Sequence, residues 1–161
     1  MTKERIIRVG NKFRQNNGVA DFGFKLFYTV ENFRRHSDDD FSPDKENLPL
    51  FNQFSEEQLQ TFLTTWVLYD GATLTTPIVP VQLDNYTAYL CEKRLYLMHA
   101  GFDSANLLAF IQRLNGEVNF NPNRIIVLGG NMQSRMQQEL DQAVRTYANK
   151  KDIELNLIMR V

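Results

Sequence analysis

Four places in the chain carry residue types that could do chemistry. Gly129-Gly130-Asn131 stands between a predicted strand and a predicted helix, where glycines and a helix N-terminus can hold a phosphate. His36 beside Asp38-Asp39-Asp40 could suggest a metal site, His99 a catalytic base and Cys91 a nucleophile. Each also has a structural interpretation: a tight turn, a solvated loop, a strand-end histidine and a buried thiol.

Spacing favours the structural interpretation in all four. The glycine turn lacks both the GxGxxG and the GxxxxGK[ST] pattern of nucleotide-binding loops. His36 and the aspartates are adjacent and lack a distant ligand that would close a coordination sphere. No nucleophile motif accompanies His99, and burial would raise the pKa of Cys91. We therefore predict no catalytic, cofactor-binding or metal-binding residue in this chain.

Residues 2–15 carry the one charge pattern with a clear sign. Ile6, Val9 and Phe13 recur at the spacing of one helix face. The other positions carry five cations, which are Lys3, Arg5, Arg8, Lys12 and Arg14. These cations are candidate DNA-phosphate contacts, which would make binding dependent on salt. The alternatives are a solvated helix face or a strip that faces an acidic protein surface.

Sequence patterns in the first half of the chain predict a strand and a long loop, then one capped helix, and then an edge strand and a hairpin. Residues 22–30 are rich in aromatic and β-branched types and predict a strand, and 31–54 predict a long mobile surface loop. Ser55-Glu56-Glu57-Gln58 is a capping box that begins a helix ending near Asp70-Gly71. Pro77 and Pro80 confine the next strand to a sheet edge, and 85–91 with 94–98 predict a hairpin.

The second half predicts a βαβ unit. A helix begins at Asp103 or Ser104 and runs through Leu114, with Leu107, Leu108, Ile111 and Leu114 facing inward. The apolar run 124–129 predicts a strand buried on both faces, followed by a helix over 132–149 and a strand over 153–160. The two strands are expected to be parallel, with a right-handed crossover. The fold class is therefore mixed α/β (α+β), with a central mixed sheet and flanking helices.

Composition narrows the function classes. The chain has 161 residues, 43% of them hydrophobic, and a formal net charge of −1. Near-neutrality argues against binding nucleic acid through bulk positive charge, although a local basic face remains possible. One cysteine excludes an internal disulfide and favours a reducing, cytoplasmic location. No apolar run is long enough for a membrane span, so we expect no membrane partner.

Several segments, read together, resemble the Mod subunits of type III restriction-modification systems, which are β-class DNA adenine-N6 methyltransferases. The segments follow the order of that family and cover nearly the whole chain. They are Thr2–Ile6, Asp21–Phe27, Asn32-Phe33, Asp70-Gly71, Leu74–Ile78, Tyr86–Leu90, Phe120–Pro122, Ile125–Gly129 and the closing strand to Arg160.

The resemblance implies a single C-terminal domain, residues 1–161, of a longer protein. The Asp-Pro-Pro-Tyr motif and the Phe-x-Gly-x-Gly loop of such methyltransferases are absent from this sequence. No catalytic residue of the family is therefore carried over, and S-adenosylmethionine is expected to serve the parent enzyme alone. The implied partners are a second Mod subunit, the Res helicase-nuclease and DNA. That enzyme flips an adenine out of the duplex, since its acceptor nitrogen cannot be reached inside the stack.

Two positions depart from the family pattern. Gly130-Asn131 replaces a tyrosine-containing stretch, and the chain closes on Met-Arg-Val rather than on an aromatic residue. Two other functions remain open from the sequence alone. One is a small independent α/β nucleotide-binding enzyme that uses the Gly129-Gly130 turn. The other is an interaction protein that binds through the 31–54 loop.

Overall fold

A computed structural model describes residues 2–17, 27–30 and 54–160. The chain divides into two compact units, Met1–Asp44 and Lys45–Val161. In the first unit, helix α1 spans Thr2–Asn17, which confirms the predicted N-terminal helix. The strand predicted for 22–30 is absent over 27–30, where the backbone is irregular and the side chains are exposed. Residues 22–26, and the loop predicted for 31–54 up to residue 53, lie outside the described residues.

The second unit contains a five-stranded sheet and three helices in its described part. The elements in chain order are α2 (Glu56–Tyr69), β1 (Val79–Leu83), β2 (Tyr86–Cys91), β3 (Arg94–Leu97), α3 (Ser104–Gly116), β4 (Arg124–Leu128), α4 (Ser134–Lys151) and β5 (Asn156–Arg160). The strand order is β1-β2-β3-β4-β5. The pairs β1–β2 and β2–β3 are antiparallel, whereas β3–β4 and β4–β5 are parallel. The predicted mixed α+β fold, hairpin and βαβ unit are confirmed.

Turn chemistry explains the antiparallel half of the sheet. The β2–β3 turn is Glu92-Lys93, and Glu92 adopts a left-handed φ of 54° despite its side chain. An ion pair of 2.7 Å between Glu92 and Arg94 closes the same turn. Asp84 adopts a φ of 56° in the β1–β2 turn, as short polar residues commonly do. Strand β1 lies at one edge of the sheet and includes Pro80, as predicted.

Helices α3 and α4 cover one face of the sheet. The buried apolar side chains of that face form one cluster, which includes Val81, Leu83, Ala88, Leu95, Leu97, Phe110, Ile125, Val127, Leu140 and Val144. Strand β4 is buried from Ile125 to Leu128, which confirms a strand covered on both faces. On the opposite face, α2 contributes Leu59, Phe62, Leu63, Trp66 and Val67 to the core, as predicted.

The helix ends follow local signals. Ser55 and Gln58 form the predicted capping box of α2, with contacts of 3.2 and 2.9 Å. Asp103 caps α3 in the same way, with Asn106 as its reciprocal partner. Asp152, at a left-handed φ of 53°, ends α4. That turn delays β5, which begins at Asn156 rather than at residue 153 as predicted.

The prediction that Leu108 of α3 faces inward is wrong. Leu108 is 58% exposed, whereas Asn106 and Phe110 are fully buried. Asn106 is buried because its amide donates to the Leu83 carbonyl at 3.0 Å and also bonds the Asn85 side chain. Asn106 therefore lies on the face of α3 that meets the sheet, whereas Leu108 does not. Among the described helices, none combines the length and apolarity that a bilayer crossing requires.

Candidate functional site

The glycine turn after β4 is closed by the chain's own side chains. Gly129–Asn131 forms a single 3₁₀ turn, and the buried Asn131 amide donates to the Met98 carbonyl at 2.7 Å. Gln137 Nε2 donates to the carbonyls of Gly129 at 3.0 Å and Met132 at 2.8 Å. The carbonyls of Met98, Gly129 and Met132 are thus bonded within the chain. The turn links β4 to α4 as the sequence predicted.

His99 lies in a polar cluster that joins α2 to the sheet. Its Nε2 is 3.1 Å from the Tyr89 hydroxyl, and its Nδ1 is 3.8 Å from the Glu56 carboxylate. Gln60 donates to the same Tyr89 oxygen at 2.9 Å, and Tyr86 donates to the His99 carbonyl at 2.9 Å. Burial, and then the negative charge of Glu56, raise the pKa of Tyr89.

The surroundings of His99 suit a structural role. Between residues 54 and 160, the side chains in contact with the imidazole are those of Tyr89 and Glu56 on its two nitrogens and Tyr86 on its ring. Its ring packs edge-to-face against Tyr86, with 6.2 Å between ring centroids. The histidine thus holds the end of β3 against the start of α2.

A buried ion pair forms the second polar cluster, and sequence reasoning missed it. Asp70 accepts from both terminal nitrogens of Arg160, at 2.5 and 3.2 Å, and from the Tyr96 hydroxyl at 2.7 Å. The Asp70 side chain is only 7% exposed. The guanidinium of Arg160 also lies over the Trp66 ring, 5.3 Å from its centroid.

This cluster fixes the end of α2 to two strands at once. Burial, and then the hydrogen bond to Asp70, raise the pKa of Tyr96. The Asp70 carboxylate thus accepts three hydrogen bonds from side chains of β3 and β5. The sequence signal was an arginine at the end of a mainly apolar strand, ninety residues away from its partner.

The remaining sequence candidates do not come together. Cys91 is buried, and burial raises the pKa of its thiol, which agrees with an inert core cysteine. His36 and Asp38-Asp39-Asp40 lie outside the described residues. Within the described ranges, no three His, Cys, Asp or Glu side chains are placed to hold a metal ion.

The basic face of α1 is exposed where its side chains are described. Arg5, Arg8 and Lys12 are exposed, and Arg8 contacts Glu4 only at 3.9 Å. Lys3 and Arg14 lie within the helix, but their side chains fall outside the described part of the structure. Ile6 and Val9 on the apolar stripe are 42% and 54% exposed.

Two surface grooves border α4. The larger, of about 570 Å³, lies between α3 and α4. Its lining mixes the apolar Leu107, Ile111, Ala143 and Tyr147 with polar residues that include Lys150 and Lys151. The smaller, of about 300 Å³, lies between α4 and β5 and is lined by Gln138, Asp141, Leu157 and Met159, among others. Neither lining places a histidine or cysteine beside a nucleophile.

Comparisons with known proteins identify related chains. A family model described as the type III R-M EcoP15I C-terminal domain matches residues 57–153. The EcoP15I Mod subunit of Escherichia coli is 41% identical over 162 residues, covering 99% of this chain and 24% of the relative. The EcoPI Mod subunit of Escherichia phage P1 is 40% identical over 163 residues, covering 99% of this chain and 25% of the relative. The chain thus spans about a quarter of the length of these type III restriction-modification proteins.

Proposed function

The chain belongs to the family of type III restriction-modification EcoP15I C-terminal domains, and on that premise we propose that it is the non-catalytic C-terminal domain of a Mod subunit. In this proposal the parent protein is a cytoplasmic DNA adenine-N6 methyltransferase that uses S-adenosylmethionine. The domain contributes to assembly with a second Mod subunit and with the Res subunit. It also contributes a basic helix to DNA contact.

One observation carries the proposal. Both Mod relatives match 99% of this chain with no more than a quarter of their own length. The part of the chain that the structure describes contains polar clusters whose members are bonded to one another. Those clusters are suited to holding a fold together, and they leave no free pair of catalytic groups facing a cleft.

Association with a second copy is the first testable consequence. We expect sedimentation equilibrium of the 161-residue chain to show an average mass that rises with concentration from 18.8 kDa towards twice that value. The physical reason is that exposed apolar side chains favour burial against another surface. A mass that stays at the monomer value up to the highest soluble concentration would contradict the proposed assembly role.

DNA contact by α1 is the second testable consequence. Reversing the charge of three exposed cations, with Arg5→Glu, Arg8→Glu and Lys12→Glu, is expected to weaken binding to a duplex measured by fluorescence anisotropy. Each lost phosphate contact should lower the slope of log affinity against log salt by about 0.9.

A matched control distinguishes a specific DNA contact by α1 from a general effect of net charge. The triple variant Arg145→Glu, Lys150→Glu and Lys151→Glu changes the net charge equally on the exposed side of α4. We expect it to leave the salt slope unchanged. Equal losses in both variants would assign α1 to a solvated face without a specific DNA contact.

A further inference from the structure

Strand β5 is the outer strand of the sheet at the end opposite β1. Among the described residues, no strand pairs with its outer side. The Asn156 N–H donates to the Asn123 carbonyl at 2.9 Å, so the main chain of Asn156 faces β4. Main-chain groups alternate sides along a strand. Those of Ile158 and Arg160 therefore also face β4, whereas those of Leu157 and Met159 point outward.

The other edge of the sheet is protected in a way that β5 is not. In β1, Pro80 has no N–H to offer, and the Gln82 carbonyl accepts from Arg113 at 3.0 Å. Proline and occupied carbonyls are devices that prevent strands from pairing edge to edge. The sequence of β5, from Asn156 to Arg160, contains no proline or lysine and no bulge interrupts its register with β4.

Exposed apolar side chains lie on the α4 side of this edge and near the end of α2, which is tied to the other side of β5. On the α4 side, Met159 is 36% exposed and Leu157 is half-buried at the 300 Å³ groove. On the other side, the end of α2 is tied to β5 by the ion pair between Asp70 and Arg160. Next to Asp70, Tyr69 is 86% exposed and Leu68 is 39% exposed. The open main-chain groups therefore lie within a partly apolar surface.

We propose that the β5 edge pairs antiparallel with β5 of a second copy of this chain, about a two-fold axis at Ile158. This inference rests on the proposed assembly function and names its surface. Leu157 of each copy stands opposite Met159 of the other. The outward N–H and C=O groups of these residues then form four hydrogen bonds, and Ile158 meets its counterpart as a non-hydrogen-bonded pair.

The strand is its own complement in this register. Apolar residues stand opposite apolar residues, and the Asn156 amide stands opposite Arg160 of the second copy. The two arginines are kept apart, so no like charges face each other directly across the junction. An isologous contact of this kind closes on a dimer and leaves no further β5 edge to recruit another chain.

A cysteine on the axis tests the register. In Ile158→Cys, the two sulfurs would lie across a non-hydrogen-bonded pair with about 4.5 Å between Cα atoms, which a disulfide can bridge. We expect mild oxidation to give a covalent dimer on non-reducing gels. Val79→Cys places an exposed cysteine on the β1 edge as the matched control and should stay monomeric. The native Cys91 is buried and does not compete.

A charge on the edge tests the same surface without oxidation. Met159→Lys is expected to weaken the dimer about tenfold in sedimentation equilibrium, since it replaces two apolar cross-strand pairs. Val118→Lys, at a position 92% exposed in the loop after α3, should leave the dimer unchanged.

The outcomes separate this inference from the proposed function. A wild-type dimer that is unaffected by Met159→Lys, or that cross-links through Val79→Cys and not Ile158→Cys, would overturn the β5 surface while leaving assembly intact. A β5 edge already occupied by another part of the same chain would likewise give no Ile158→Cys cross-link and overturn the inference. A strictly monomeric wild-type chain would overturn the assembly function itself.

Discussion

Neutralising Asp70 should destabilise the second unit far more than its single charge suggests. The variant Asp70→Asn keeps the shape of the side chain but removes the negative charge that faces Arg160 and accepts from Tyr96. Exposed ion pairs contribute about 0–1 kcal/mol, whereas breaking a fully buried pair costs about 3–5 kcal/mol. Because Arg160 remains 26% exposed and Asp70 only 7%, we expect a loss between these limits, about 2–3 kcal/mol.

A double-mutant cycle isolates the pair itself. Arg160→Met retains an apolar stem over Trp66, and the cycle with Asp70→Asn should give a coupling free energy of about 1–2 kcal/mol. The control is Arg135 with Glu139, an ion pair of 2.9 Å on α4 in which Arg135 is 89% exposed. That pair should couple by only about 0.3–0.5 kcal/mol, because water screens it.

Urea unfolding provides the assay. Trp66 is the only tryptophan of the chain and lies under Arg160, so its fluorescence reports the cluster directly. Far-ultraviolet circular dichroism should follow the same transition and give the same free energy of unfolding. If the buried and exposed pairs couple equally, the argument that burial gives this cluster its strength is refuted.

Two further predictions concern buried titratable groups. Burial raises the pKa of Tyr86 and Tyr96 above the value of about 10 in an unfolded chain, so their stabilising contribution is complete below about pH 10 and is lost as pH rises further. The free energy of unfolding should therefore fall above about pH 10, and less steeply in Tyr96→Phe; an identical slope in both proteins would contradict this assignment. Cys91 is buried with a raised pKa, so a thiol reagent should label it slowly in native buffer and completely in denaturant; rapid native labelling would show that the thiol is accessible.

Local signals made much of the second unit predictable. Three of these signals each lie within a few residues of sequence. They are the Ser55 capping box, the uninterrupted apolar run of β4 and the two prolines near β1. Each of these signals acts on backbone groups within a few residues, so its effect does not depend on contacts with distant parts of the chain. The hairpin was also predicted from its spacing, although Glu92 adopts a left-handed conformation that its residue type disfavours.

What the sequence did not reveal depends on contacts between distant residues. Asp70 and Arg160 are ninety residues apart in the sequence, and no periodic pattern in the sequence indicates that they are in contact. The same limit applies to Leu108, which a helical pattern predicted to be buried, whereas Asn106 is buried through its hydrogen bond to the Leu83 carbonyl. The parallel pairing of β3 with β4 likewise requires knowing that α3 crosses the sheet.

Methyl transfer by the chain alone tests the central claim most directly. The 161-residue protein would be incubated with labelled S-adenosylmethionine and adenine-containing duplex DNA, with the EcoP15I Mod subunit as the positive control. We expect label in DNA with the control and only the buffer background with this chain. Methylated adenine formed by this chain unaided would contradict its assignment as a non-catalytic domain.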